Sequence, residues 1–147
     1  MTEMMTGGCQ CGRVRYRAML ENFDAYYCHC RMCQRATGGT AAAQVQVPRE
    51  RIFWETEPNW YQSSPIARRP FCRDCGTPLG FDYLEKGEGD LTVGSFDEPS
   101  RFRPIANFGA EAILEPWLDV SDLPQHRTDE LPSVVARWKA VGRDVPD

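Results

Sequence analysis

The stretch GGCQCG, Gly7 to Gly12, sets two thiols one residue apart between small residues that let the backbone turn sharply. A second turn of the same kind, FCRDCG, follows at residues 71–76, and YCHCRMC at residues 27–33 packs three more thiols into six residues. All seven cysteines of the chain therefore fall into three tight groups: Cys9 and Cys11; Cys28, Cys30 and Cys33; Cys72 and Cys75. Thiolates are soft donors, and two of them this close in sequence can take adjacent corners of a tetrahedral zinc site. Four sulfurs close one structural zinc, and three leave a second zinc with a vacant corner.

Other uses of the thiols fit less well. An odd number of cysteines, separations of one or two residues and no recognisable signal peptide argue against a disulfide scaffold. A redox pair at Cys72 and Cys75 would open a helix after a buried strand, whereas Arg73, Asp74, Gly76 and Pro78 read as a turn. Ferredoxin spacings are absent, so zinc is preferred over an iron–sulfur cluster.

At 147 residues and 41% hydrophobic content, the chain is the size of one compact domain, spanning residues 1–147. MTEMMTGG at the start lacks the basic end and apolar run of a signal peptide, and no stretch reaches the roughly 20 apolar residues of a membrane span. These features predict a cytoplasmic protein whose thiols stay reduced and available to metal. A net charge of −4 gives no general attraction to nucleic acid or to an anionic membrane surface.

Outward from the cysteine turns, the pattern is one of short strands. Arg13 to Ala18 alternates polar and apolar residues with period two, the pattern of a half-buried strand. Further strands are predicted over 41–47, 51–54, 60–62, 67–71, 79–83 and 91–96, punctuated by Gly, Pro, Asn and Ser. The fold class is therefore mainly antiparallel β. A short helix is predicted over 31–36, ending at Gly38-Gly39. The best helix candidate is 132–141, with Ser133 as its cap and Gly142 just past its end. Residues 118–131, acidic and containing proline, read as a covering loop.

Joining Cys9 and Cys11 to Cys72 and Cys75 would close a four-sulfur site between the N-terminal turn and the middle of the chain. Spacing alone also permits either pair to combine with two members of the central group. The central trio can fill three corners of one metal and has no obvious fourth ligand. His29 would have to fold back over its own backbone to join, so it is expected in a supporting hydrogen bond or in the pocket wall. His126 is the other histidine, in the C-terminal loop, where the default is an ordinary surface residue. The last corner should hold water or an incoming substrate sulfur.

Three thiolates make zinc a poor Lewis acid for hydrolysis but leave it suited to holding a fourth thiolate. A free thiol has a pKa near 8.5, so coordination at neutral pH presents it as the anion, ready to attack an electrophile. Arg31, Arg35, Arg68 and Arg69 are candidates to balance thiolate charge or to meet a substrate carboxylate.

With GGCQCG at 7–12, YCHCRMC at 27–33, FCRDCGTPL at 71–79 and LTVGSFD at 91–97, the chain resembles the glutathione-dependent formaldehyde-activating enzyme family, which also includes centromere protein V-like proteins. The likeness runs over roughly residues 7–125. It implies a β-tent fold, with antiparallel sheets pitched around a structural zinc held by Cys9, Cys11, Cys72 and Cys75. It further implies Cys28, Cys30 and Cys33 on a catalytic zinc with an open position. The activity it implies is that of a carbon–sulfur lyase joining glutathione to formaldehyde as S-hydroxymethylglutathione. The competing expectation from another class is a non-catalytic zinc module that binds a protein partner, with Trp54, Trp60 and Trp117 as anchors. A methionine sulfoxide reductase of related fold would instead need a redox-active cysteine free of metal.

Overall fold

A computed structural model describes residues 1–85 and 87–146, which resolve into two compact units, Met1–Leu114 and Glu115–Asp147. The first unit holds all seven cysteines and ten strands: β1 (Glu3–Gly8), β2 (Arg15–Leu20), β3 (Asp24–Cys28), β4 (Ala42–Pro48), β5 (Ile52–Trp54), β6 (Asn59–Ser64), β7 (Ala67–Phe71), β8 (Gly80–Tyr83), β9 (Glu88–Thr92) and β10 (Arg103–Phe108). One helix, α1 (Arg31–Thr37), sits between β3 and β4. The strands form a three-stranded sheet in the order β1-β2-β5 and a seven-stranded sheet in the order β10-β3-β4-β9-β8-β7-β6. Every pair is antiparallel except β10 with β3, which is parallel.

The period-two reading of the first strand gives its buried face. Val14, Tyr16 and Ala18 are fully buried, while Arg15 and Arg17 turn outward. They join Met5, Leu20, Val45, Val47, Leu79, Leu91 and Phe96 in one core, together with the sulfur-bearing Cys9 and Cys72. Tyr16 lies edge-on to both Trp54 and Phe96, at centroid separations of 5.3 and 5.4 Å. Its hydroxyl, which would be costly to bury unpaired, meets Ser95 Oγ at 2.8 Å.

The strand predicted over 91–96 begins and ends earlier, as β9. After Thr92 the chain tightens into a single 3₁₀ turn, Val93–Ser95, where Ser95 Oγ donates to Thr92 O at 2.8 Å. Gly38 ends α1 in the left-handed region, at φ 75°, with its N–H on Gln34 O.

In the second unit, α2 (Pro132–Ala140) follows 3₁₀ turns at Glu115–Trp117 and Thr128–Glu130. Its cap differs from the predicted Ser133. Pro132 already occupies the first turn, so Leu131 stands at the cap position and makes no side-chain cap bond. Among the described residues no helix is long and apolar enough to cross a membrane.

Candidate metal centres

The first cluster lies where the two sheets meet. Cys9 and Cys11 sit in the turn between β1 and β2, and Cys72 and Cys75 in the turn between β7 and β8. Their four sulfurs lie within 4.8 Å of one another. Cys9 Sγ is 3.6 Å from Cys11 Sγ, which is 3.7 Å from Cys72 Sγ. A zinc–sulfur bond of about 2.3 Å gives a tetrahedral edge of roughly 3.8 Å, so this donor set fits one zinc ion.

Backbone amides and one threonine set the sulfurs. Val14 N–H donates to Cys9 Sγ at 3.2 Å. Gly76, at φ 76°, closes the second turn by donating to Cys72 O at 2.7 Å, a conformation open to glycine because it lacks a Cβ. Thr77 ties the two turns together. Its hydroxyl accepts from Gln10 N at 3.0 Å and lies 3.2 Å from Cys75 Sγ, and its carbonyl accepts from Cys72 N at 3.1 Å. The hydroxyl holds the Cys75 thiol down at about 5, against the smaller opposing effect of burial. Arg13 reinforces the junction through Asp74, at 2.9 Å, and Asn59 Oδ1, at 2.7 Å.

The second cluster is Cys28, Cys30 and Cys33, whose sulfurs also lie within 4.8 Å of one another. Cys28 ends β3, Cys30 caps α1 and Cys33 is in its first turn. Cys33 N–H donates to Cys30 Sγ at 3.3 Å. Burial pushes the Cys28 thiol up to about 12, whereas at Cys30 burial is the largest single influence but is outweighed by the combined hydrogen bonds from the Cys33 and Met32 amides and the neighbouring thiols, which bring the thiol below its ordinary value. Three sulfurs gathered this closely suit a metal that neutralises the charge they take on when deprotonated. Among the described residues, no further His, Cys, Asp or Glu atom joins this group.

The supporting hydrogen bond expected of His29 belongs to a wider network that holds the trio in place. His29 N–H donates to Phe108 O at 2.8 Å, and His29 Nε2 lies 2.8 Å from Asn107 Oδ1. His29 is thus a buried support and not part of the sulfur cluster. Gln34, also buried, donates from Nε2 to His29 O at 2.7 Å and to Ala112 O at 3.1 Å. Gly109 packs so tightly under the loop that a Cβ there would stand 2.5 Å from Cys30 N. Asn107 and Gln34 lie outside the quoted motifs, and Thr77, although inside FCRDCGTPL, has no role that spacing reveals, because each bonds a partner distant in the chain.

The trio opens into a cleft of about 630 Å³, with Met32, Tyr26, Ile66, Phe81 and Phe108 among its apolar lining. Of the four candidate arginines, Arg69 alone lines it. Arg69 is buried and donates from Nη2 to Cys33 Sγ at 3.4 Å. Arg31 bonds to Gln34 Oε1, Arg35 is exposed, and Arg68 pairs with Asp82 and stacks on Trp60. His126 is exposed in the second unit. Trp54 and Trp60 are half-buried and pack edge-on against each other at 6.3 Å, while Trp117, in the second unit, is exposed.

The sequence matches the model of the glutathione-dependent formaldehyde-activating enzyme family over residues 4–111. The chain belongs to this family. The matched span lies within the first unit and contains both cysteine clusters of the family member described here. A curated relative named as an uncharacterized lyase, from Schizosaccharomyces pombe, is 30% identical over 118 residues, covering 79% of this chain and 82% of its own. A solved structure of a Rhodobacter sphaeroides protein superposes with a TM-score of 0.58 at 24% identity, covering 70% of this chain and 99% of that one. It shares the fold, which is the mainly β architecture expected of the family.

Proposed function

We propose that this chain is a zinc-dependent carbon–sulfur lyase that binds a small thiol at Cys28, Cys30 and Cys33 and makes or breaks an S-hydroxymethyl-type adduct. Glutathione and formaldehyde are the thiol and electrophile that the family's description suggests. The lyase name of the yeast relative supports the reaction class. The observation that carries the reading is the cleft opening directly onto three sulfurs that no fourth protein ligand joins among the described residues.

In this reading Cys9, Cys11, Cys72 and Cys75 hold a structural zinc that fastens β1 and β2 to the end of β7. Cys28, Cys30 and Cys33 hold a second zinc with one open position. Bound there, zinc supplies the Lewis acidity that keeps a substrate thiol ionised at neutral pH, below its ordinary pKa of about 8.5. The thiolate sulfur adds to the carbonyl carbon, the C–S bond forms, the carbonyl π pair moves to oxygen, and oxygen takes up a proton. The reverse sequence cleaves the adduct. Phe81, Phe108 and Ile66 give the cleft wall an apolar face, while Gln34, His29 and Gly109 brace the loop that carries the three sulfurs. A reducing, cytosolic setting suits seven unpaired thiols.

Alkylation mapping of the zinc-loaded protein, with and without glutathione, tests the reading. Glutathione should protect the trio, elemental analysis should give two zinc ions per chain, and Cys30→Ser should abolish thiol binding while the circular dichroism stays unchanged. No thiol binding by fully loaded protein overturns the proposal.

A further inference from the structure

Arg69 is a charge in an unusual place. It lies near the middle of β7, is 4% exposed, and stacks over Phe81 with its guanidinium carbon 4.8 Å from the ring centroid. A buried guanidinium ordinarily has a carboxylate against it. Its neighbour Arg68, on the opposite face of the strand, has one in Asp82 at 3.3 Å. Among the described residues, none stands within ion-pair distance of Arg69. Nη2 reaches Cys33 Sγ, and Nε has no hydrogen-bond partner. A charged side chain with an unfilled donor thus borders a cleft of about 630 Å³, beside one of the three sulfurs.

We infer that Arg69 is the anion-recognition residue of this cleft and that the preferred substrate is a thiol carrying a free carboxylate one or two carbons from its sulfur. The inference rests on the reading that a thiol completes the shell around Cys28, Cys30 and Cys33. A fourth sulfur there would lie roughly 3.8 Å from Cys33 Sγ, the edge of a zinc–thiolate tetrahedron. With ordinary bond lengths, a carboxylate oxygen one or two carbons away lies roughly 3–5 Å from that sulfur. That is the distance scale on which Arg69 already touches Cys33, at 3.4 Å. Guanidinium and carboxylate match in geometry, and the burial of Arg69 strengthens the pair. In glutathione the equivalent carbonyl belongs to a peptide bond and carries no charge. The inference therefore favours an acidic thiol of the cysteine or mercaptopropionate kind.

Arg69 could instead serve only to offset the negative charge of the sulfurs. Removing it would then weaken every thiol alike. Titration calorimetry of the zinc-loaded protein with N-acetylcysteine and N-acetylcysteinamide separates the two roles, since the probes differ only in carboxylate against amide. Affinities are compared per thiolate, with glutathione and 2-mercaptoethanol as further probes. The expected result is that N-acetylcysteine binds about tenfold or more tightly than its amide, the scale of one hydrogen bond to a charged group. In Arg69→Gln the ratio should fall to about one, and Arg69→Lys should restore part of it, with circular dichroism and zinc content checking that each variant is folded and loaded. Equal binding of the two probes by the parent protein overturns the inference whatever the variants do, and so does a preference that survives in Arg69→Gln. Should the neutral thiols bind while the carboxylate gives no advantage, the lyase reading stands without this refinement. Should no thiol bind, both fall.

Discussion

Gly109 shows how much a single missing atom can decide. It sits at φ 61°, directly after β10, and a Cβ would meet the Cys30 amide nitrogen at 2.5 Å. Gly109→Ala must therefore bear both a disfavoured backbone conformation and a displaced Cys30, and should lose more than about 1 kcal/mol of stability. Urea unfolding measures that loss, and zinc competition with a chelator should show weaker retention at the trio than at the four-cysteine cluster. Asp97 offers a pH test. Its carboxylate accepts two bonds from Arg15, at 2.9 and 2.5 Å, and one from Thr6, and the Arg15 contacts hold its pKa below the ordinary 3.8. The unfolded chain thus takes up the proton first as acid is added. The stabilisation is present above about pH 3.8 and is lost as pH falls through the lower folded value. Since the Asp97 side chain is 43% exposed, Asp97→Asn should cost only about 0.5 kcal/mol at neutral pH, and the stabilities of variant and parent should converge as pH falls through the lower folded value. At this scale the cysteines were legible in the sequence, because thiol spacing is itself the constraint a tetrahedral metal imposes. Thr77, Gln34 and the special position of Arg69 were not, since a polar residue takes its role from whatever the fold sets beside it.

Strands became legible to the extent that one face is wet and the other dry. β2 alternates cleanly, and its reading was right to within two residues at its start. β7 was read with its bounds as found. β10 is exposed along nearly all its length and shows no period-two signal, so its attachment, parallel to β3, could come only from the three-dimensional structure. β3 lacks a period-two signal for a related reason, since of its five residues only Ala25 is buried. β1 was read only as a segment unlike a signal peptide, although Met5 and Gly7 are its buried face. Between elements, the Tyr16–Ser95 bond links β2 of the small sheet to the 3₁₀ turn that follows β9 of the large one. Tyr16→Phe keeps the ring and removes only the hydroxyl, so stability should fall by about 1 kcal/mol, read as a shift in urea midpoint at constant slope.

At the scale of the whole molecule, the two clusters carry different burdens. Cys9 and Cys72 belong to the hydrophobic core, so opening the four-cysteine site disturbs packing between the sheets. The trio borders the cleft, and a metal held by three protein sulfurs is more exposed to competition than one held by four. A graded chelator titration of the zinc-loaded protein should thus release metal in two steps. The first should abolish thiol binding and leave the circular dichroism intact, and the second should coincide with loss of the sheet signal. A single cooperative release that takes the fold with it would contradict this division.

The parallel pairing of β10 with β3 also sets an order of events during synthesis. Cys11 and Cys72 are 61 residues apart, so at about 5–20 residues per second the first pair waits roughly 3–12 seconds for its counterpart. The thiols of the central loop are made in that interval, but the loop gains its props from Asn107, Phe108 and Ala112 only after the longer stretch to those residues has been translated. All four sulfurs of the junction are therefore synthesised before the three residues that brace the central loop, so the braces are the last of these parts to leave the ribosome.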